Sequence, residues 1–232
     1  MIAMKLQERS YSTKIIRPKP MIHQEDDGSL IVLATVWGQA EHGQRAIDEV
    51  VKYVNAAKAD VEVTSPFEYL NCLTDEANYV RTALHIANDI LYRGENRKEY
   101  ISGVEIMALF CRGNQVAWAH VGCPSLFIQR SDRRLQPLSI GMDLSSELKE
   151  HDQIMAPLPA QLLGLEPTCH VRSGHTRINS GDQLVLLGSS LIANSLLIRP
   201  FGEFALADIT NRMIQEEPEN PFWLGLVDLA DS

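Results

Sequence analysis

The chain has 232 residues, enough for one large domain with a sizeable core or for two small ones. Apolar residues make up 45% and charged residues 22%, the balance of an ordinary globular protein, and a net charge of −9 argues against nucleic acid and anionic membrane as partners. No apolar run approaches the roughly 18 residues of a bilayer span, and the opening MIAMKLQERSYSTK has no apolar core for export, so a cytoplasmic protein is expected.

No linker, repeat or low-complexity tract divides the chain, which predicts a single domain over 1–232, with residues 1–24 as an N-terminal arm or edge strand carrying Pro18 and Pro20. EDDGS is a turn. LIVLATVW, residues 30–37, is a continuous apolar run of the kind buried on both faces of a sheet. GQAEHGQ then leads into RAIDEVVKYVNAAK, where Ala46, Ile47, Val50, Val51 and Val54 share one helical face. SPFEYLNCLTDEANYVRTALHIANDILYRG reads as a second helical region, with Ser65 and Pro66 at its start and Gly94 as C-cap. VEIMALFC, VAWAHVG, LFIQRS and LQPLS read as strands of an antiparallel meander joined by tight turns, GCPS among them.

GMDLSSELKEHDQIMAPLPAQLLGL is helical or irregular. CHVRSGHTRI and DQLVLLGSS suggest a strand pair turning at NSGD. SLIANSLL starts a helix, and GEFALADITNRMIQEE is a better one, with Phe204, Ile209 and Met213 apolar. FWLGLVDLA closes the chain as a strand. Two long helices after one strand, then many antiparallel strands, then late helices, imply an α+β fold in which the first helix pair covers one side of a sheet and the later helices the other.

Five segments stand in a telling order: LIVLATVWGQAEHGQRA; ALHIANDIL followed by ISGVEIMALF; WAHVGCPSLFIQR; SGDQLVLLGSSLI; and ENPFWLGLVDL, with PLPAQLLGLE among them. Over residues 28–229 they resemble the metal-dependent protein phosphatases, the PPM or type 2C serine/threonine family. The resemblance implies a four-layer α-β-β-α sandwich of two antiparallel sheets flanked by helix pairs. It also implies that acids at four of these places hold two divalent cations. Here the acids are missing. Thr35 and Val36 stand for an Asp-Gly pair, Cys123 with Pro124 and Ser125 for Asp-Ser-Arg, Ser189 for the acid of Ser-Asp-Gly, and Asn220 (or Glu219, in a shifted register) for the last aspartate. No motif fixes the family's N-terminal phosphate-binding arginine, for which Arg9 and Arg17 are candidates.

Two dications about 4 Å apart repel by about 16 kcal/mol at an effective dielectric of 20, and carboxylates offset that repulsion. Threonine, cysteine, serine and asparagine bring no charge at neutral pH, so no metal cofactor is expected. Cys123 then stands where a metal-binding acid would stand because no metal is held there. The expectation is a catalytically inactive, phosphatase-like module that binds a protein partner or a second copy of itself. Trp37, Gly38, Glu41, His42, Gly122 and Ser190 would neighbour the emptied pocket. The alternative is a divergent phosphoprotein phosphatase with a reduced, weak Mg or Mn site drawing on Glu41, Asp26, Asp27 or Glu219. A third reading is a small-ligand sensor using that pocket.

Other candidates weigh less. Cys123 and His120, three apart along an extended chain, point to opposite faces, and the four cysteines (Cys72, Cys111, Cys123, Cys169) form no CxxC pair and read as reduced, mostly buried thiols. Cys169, His170 and His175 lack a fourth zinc ligand and close pairing. GSS at 188–190 lacks the Gly-x-Ser-x-Gly pattern and reads as a strand-to-helix turn. RSDRR, residues 130–134, reads as a solvated hairpin tip around Asp132, and Trp37, Trp118 and Trp223 as core.

Overall fold

The apolar run at 30–37 does form a strand, β3 (Leu30–Trp37), buried from Leu30 through Thr35, and a sheet grows outward from it. The computed structural model describes residues 2–59, 67–130, 134–147, 156–198 and 205–231. They fall into two compact units: Met1–Ala3, Pro20–Val121 and Gln161–Ile178 in one, and Met4–Lys19, Gly122–Ala160 and Asn179–Ser232 in the other. Each unit carries one antiparallel five-stranded sheet. Among the described residues no helix is long and apolar enough to cross a membrane.

The first sheet is ordered β2-β3-β4-β5-β8, from β2 (Met21–Gln24), β3, β4 (Gly103–Arg112), β5 (Gln115–Val121) and β8 (Arg172–Arg177). Two helices cover one face of it, α1 (Ala40–Lys58) and α2 (Asp75–Ile90). The alternate residues Leu30, Val32 and Ala34 of β3 and Val104, Ile106, Ala108 and Phe110 of β4 pack with Ala46, Ile47, Val50 and Val54 of α1 and Val80, Ala83, Leu84 and Ala87 of α2. Each fully buried aliphatic side chain of this set contributes about 1.5–3 kcal/mol. Gly43 lets α1 lie close on β3, because a Cβ there would come within 2.1 Å of Val36 Cγ2.

The second sheet is ordered β1-β10-β9-β6-β7, from β1 (Ile2–Tyr11), β10 (Phe222–Asp231), β9 (Gln183–Ser189), β6 (Ser125–Gln129) and β7 (Leu135–Ser139). The short α3 (Asn194–Ile198) and α4 (Leu206–Glu216) pack on it. Leu196, Ile209 and Met213 meet Phe127, Val185, Leu187, Phe222 and Leu224. The later helices thus cover their own sheet rather than a second face of the first.

Four local expectations are corrected. The GCPS turn does not return β5 on itself: Val121 pairs with Ile106 in the first sheet, while Ser125 pairs with Leu187 in the second. Strand β8 pairs with β5, and β9 with β10 and β6, so the segments around NSGD are not a hairpin. Turn chemistry fixes where a chain bends, not which strand it joins. The second helix begins at Asp75, where Thr74 Oγ1 accepts from Ala77 N at 3.4 Å and two acids open the first turn, a stronger start than one further upstream. The expected start at Ser65 and Pro66 lies outside the described residues. Gly94 does not cap the helix end, since α2 continues into a π-helical turn, Leu91–Glu95. Residues 142–160 are irregular where described, with a single 3-10 turn at Leu144–Ser146, and Phe204 lies outside the described residues.

Candidate functional site

In the first unit, strand alternation turns Thr35 and Trp37 to the sheet face away from the helices. The register sets Glu105 of β4 directly opposite Thr35. Glu105 is fully buried, Thr35 is 7% exposed, and Trp37 Nε1 donates to Glu105 Oε2 at 3.0 Å. The carboxylate at this corner therefore comes from β4. Gly38 follows with φ 137°, a conformation few L-residues adopt, and a Cβ there would lie 2.4 Å from both Ile101 O and Ser102 Oγ. Ser102 Oγ also accepts from Gln39 N at 2.7 Å. Val36 and Trp37 are half-buried.

Glu41 and His42 do not form a pair facing one place. Glu41 is exposed at the start of α1, whereas His42 is on its buried face. Asp26 and Asp27 lie in the turn before β3, at the opposite end of that strand from Thr35. Asp27 Oδ2 is 2.6 Å from Lys58 Nζ, and Asp27 Oδ1 accepts from Ser29 N at 2.9 Å. The bond from Lys58, with help from Ser29, brings its carboxyl down to about 2.

In the second unit, Cys123 follows Gly122 (φ 72°), precedes Pro124 through a cis peptide bond, and is buried. Ser189 ends β9 and Asn220 stands two residues before β10. The pairing of Phe222 with Ser189 brings these two side chains together. Asn220 Nδ2 donates to Ser189 Oγ at 2.8 Å, and Ser189 Oγ donates to Leu191 O at 2.7 Å. Asn220 is 1% exposed, and its Oδ1 has no hydrogen-bond partner among the described residues. Glu219 is exposed, its backbone carbonyl accepting from Thr13 Oγ1, whereas Asn220 is buried.

Arg17 is the buried arginine of the N-terminal region, and Arg9 is exposed on β1. The Arg17 guanidinium bonds Asp143 Oδ2 at 3.0 Å, with both side chains only 2% exposed. Ser190 Oγ donates to the same oxygen at 2.8 Å. Asp143 Oδ1 accepts from Ser145 N, Ser145 Oγ and Leu158 N at 3.0, 2.7 and 2.9 Å. Burial alone would push the Asp143 carboxyl up, but the bonds from Ser145, Leu158 and Ser190 outweigh it and hold it below the usual carboxylate range.

Sequence reasoning missed Glu105 and Asp143. Glu105 does leave a trace, as a lone acid within the apolar run VEIMALFC. Asp143 leaves a weaker one, an aspartate two residues before a serine as in Asx turns. Neither pattern names a distant partner.

The remaining candidates scatter. Cys169 is buried with its Sγ 3.9 Å from His85 Nδ1, burial raising the thiol to about 12 and lowering the imidazole to about 4. His170 and His175 are exposed. Arg130 pairs with Asp182 at 3.6 Å, and residues 131–133, Asp132 included, lie outside the described residues. Trp118 and Trp223 are buried. Among the described residues no three His, Cys, Asp or Glu side chains gather as a metal cluster.

No protein-family model matches the sequence, and no curated protein matches it. Solved structures match in shape. The serine/threonine phosphatase PstP/Ppp of Mycobacterium tuberculosis superposes with a TM-score of 0.64 at 15% identity, covering 100% of both chains, and another structure of its catalytic domain is a complex with 2 manganese ions. The S. agalactiae serine/threonine phosphatase gives 0.63 at 19% identity, over 98% of this chain and 100% of that one. PppA, a key regulatory component of T6SS in Pseudomonas aeruginosa, gives 0.62 at 14% identity over 98% of each chain. Such identities speak for the fold alone: the chain has the fold of the bacterial PPM serine/threonine phosphatases.

Proposed function

We propose that this chain is a phosphatase-fold module without hydrolytic activity, which works by binding a protein partner or a second copy of itself. The observation that carries this reading is the Ser189–Asn220 hydrogen bond at 2.8 Å. At two positions where the resemblance expects charged metal ligands, neutral side chains satisfy each other. Thr35 and Cys123, at the other two, are likewise uncharged and buried.

The Ser189 and Asn220 donors of the second unit do not fit manganese ions. Hard dications take several oxygens, with carboxylates supplying charge, and the one spare oxygen described at Asn220 is a single neutral donor. Arg17, the buried arginine nearest in sequence to a phosphate-binding role, is committed to Asp143. A stable scaffold whose polar groups bond inward, in a fold that hosts function at grafted sites, suits recognition better than turnover.

The test is phosphate release from phosphoserine and phosphothreonine peptides with Mn2+ or Mg2+ added to the full chain. The expected rate is that of the protein-free blank, with no metal-induced rise in melting temperature. Metal-dependent turnover that disappears in Asn220→Ala would overturn the reading. For the binding half, sedimentation velocity over a wide concentration range and affinity capture from the source cells are paired. A chain that stays monomeric and retains no protein sinks that half.

A further inference from the structure

The chain carries a cavity that the proposed function does not use. It has a volume of about 500 Å³, lies in the first unit where α2 gives way to its π-helical turn, and is lined by Tyr92, Arg93, Arg97, Lys98, Glu99 and Tyr100. That volume suits a small organic ligand.

Its lining is unusual for a protein of charge −9: among the described lining residues three cations stand with one acid and two aromatic rings. Arg93 forms an exposed pair with Asp89 at 2.7 Å, a kind of pair that yields readily to a better partner. Among the described side chains neither Arg97 nor Lys98 has an ion-pair partner, so their charge is open to a ligand. Tyr92 is half-buried and Tyr100 is 71% exposed, a large ring held out without packing to explain it.

The cradle is fixed from beneath. Buried Asn96 donates from Nδ2 to Ser102 O and Gly164 O, both at 2.7 Å, and its Oδ1 accepts from Ile101 N and Ser102 N at 2.9 and 3.2 Å. Four bonds from one side chain hold the loop shut around residues 97–100, so the cations and rings are presented by a pinned backbone.

We infer that this cavity binds a mononucleotide, its phosphates on Arg93, Arg97 and Lys98 and its base stacked on the exposed ring of Tyr100. Guanidinium groups match phosphate oxygens two bonds at a time, and a π-face accepts any base. No chemistry on the nucleotide is implied, and the inference stands or falls independently of the proposed inactivity.

Isothermal titration of the full chain with ADP, adenosine and inorganic phosphate tests it. ADP is expected to saturate below about 1 mM, with adenosine and phosphate each weaker by roughly tenfold or more. The double substitution Arg97→Glu with Lys98→Glu should weaken ADP by at least about tenfold, and Tyr100→Ala by about fivefold. Both changes sit on exposed side chains, and circular dichroism and melting should match the wild type. No saturable ADP binding, ADP binding indifferent to these substitutions, or phosphate binding as tightly as ADP would each overturn the inference.

Discussion

The two units tie down their irregular segments by different chemistry. In the first, the ties are neutral amides: Asn78 bonds Leu70 N and O, Asn88 bonds Gly164 N and Glu166 O, and Asn96 bonds the 101–102 and 164 backbone. In the second, a neutral tie from Asn220 to Ser189 is joined by a buried charged pair, Arg17 with Asp143, linking segments 126 residues apart and gathering Ser145, Ser190 and Leu158 around it. A neutral amide tie survives changes of pH. A buried ion pair is cooperative with its surroundings and fails as a unit when one partner is lost.

The sharpest way to break this contrast is Asp143→Ala. It removes the carboxylate bonded to the buried Arg17 guanidinium and takes the Asp143 acceptor away from Ser145 N, Ser145 Oγ, Ser190 Oγ and Leu158 N. A loss of about 3–5 kcal/mol in urea unfolding is expected. The double change Arg17→Met with Asp143→Leu should recover part of that loss, since two apolar side chains leave no buried charge, but not all of it, because four donors lose their acceptor. The pair also sets an acid limit. Because the folded carboxyl is held low, its stabilisation is complete above the unfolded value of about 3.9 and disappears as pH falls through the folded one. Unfolding free energy measured against pH should therefore fall less steeply below about pH 4 in Asp143→Asn than in the wild type.

The corresponding change in the first unit is Asn96→Ala, which removes four bonds to backbone groups around a buried site. A loss of about 2–3 kcal/mol is expected, because the stranded carbonyls and N–H groups pay for desolvation, and its size should be the same at pH 4 and pH 7. A strong pH dependence would erase the distinction between the units. Smaller again is Trp37→Phe. It keeps the ring's bulk but removes the indole donor from Glu105, at an expected cost of about 1–2 kcal/mol by thermal melting.

How much of this was legible in the sequence follows from the range of each signal. The run at 30–37 and the stripe of Ala46, Ile47, Val50 and Val54 are periodic and local, and both elements formed where expected. The antiparallel sheets and the phosphatase fold followed from the order of five segments. The passage at Val121–Ser125 was legible as a bend but not as a crossing between sheets, because the partners Ile106 and Leu187 are chosen by packing over long separations. Thr74 caps α2 because its bond to Ala77 N and the acids after it fix the first turn, a signal weaker in the sequence than the Ser-Pro pair at 65–66, which lies outside the described residues. Of the site, Ser189 and Asn220 were placed from the resemblance and do meet. Asp143 and Glu105 were missed because the evidence for each is its partner, Arg17 or Trp37, and partnership between distant residues is written in no local pattern.

The mildest test sits at the turn before β3, where an ion pair does lie in the first unit, between Asp27 and Lys58 at 2.6 Å. It resembles the Arg17–Asp143 pair in distance and differs in solvent: the Lys58 and Asp27 side chains are 39% and 55% exposed, against 2% each. Water screens the exposed pair, so although the Asp27 carboxyl is drawn down to about 2, Lys58→Ala should cost no more than about 1 kcal/mol, and less in high salt. Its sign is that of Asp143: the contribution is present above about pH 4 and vanishes as pH drops toward 2. If Lys58→Ala proved as damaging as Asp143→Ala in the same urea series, burial would not be what separates the two ties, and the contrast between the units would rest on charge alone.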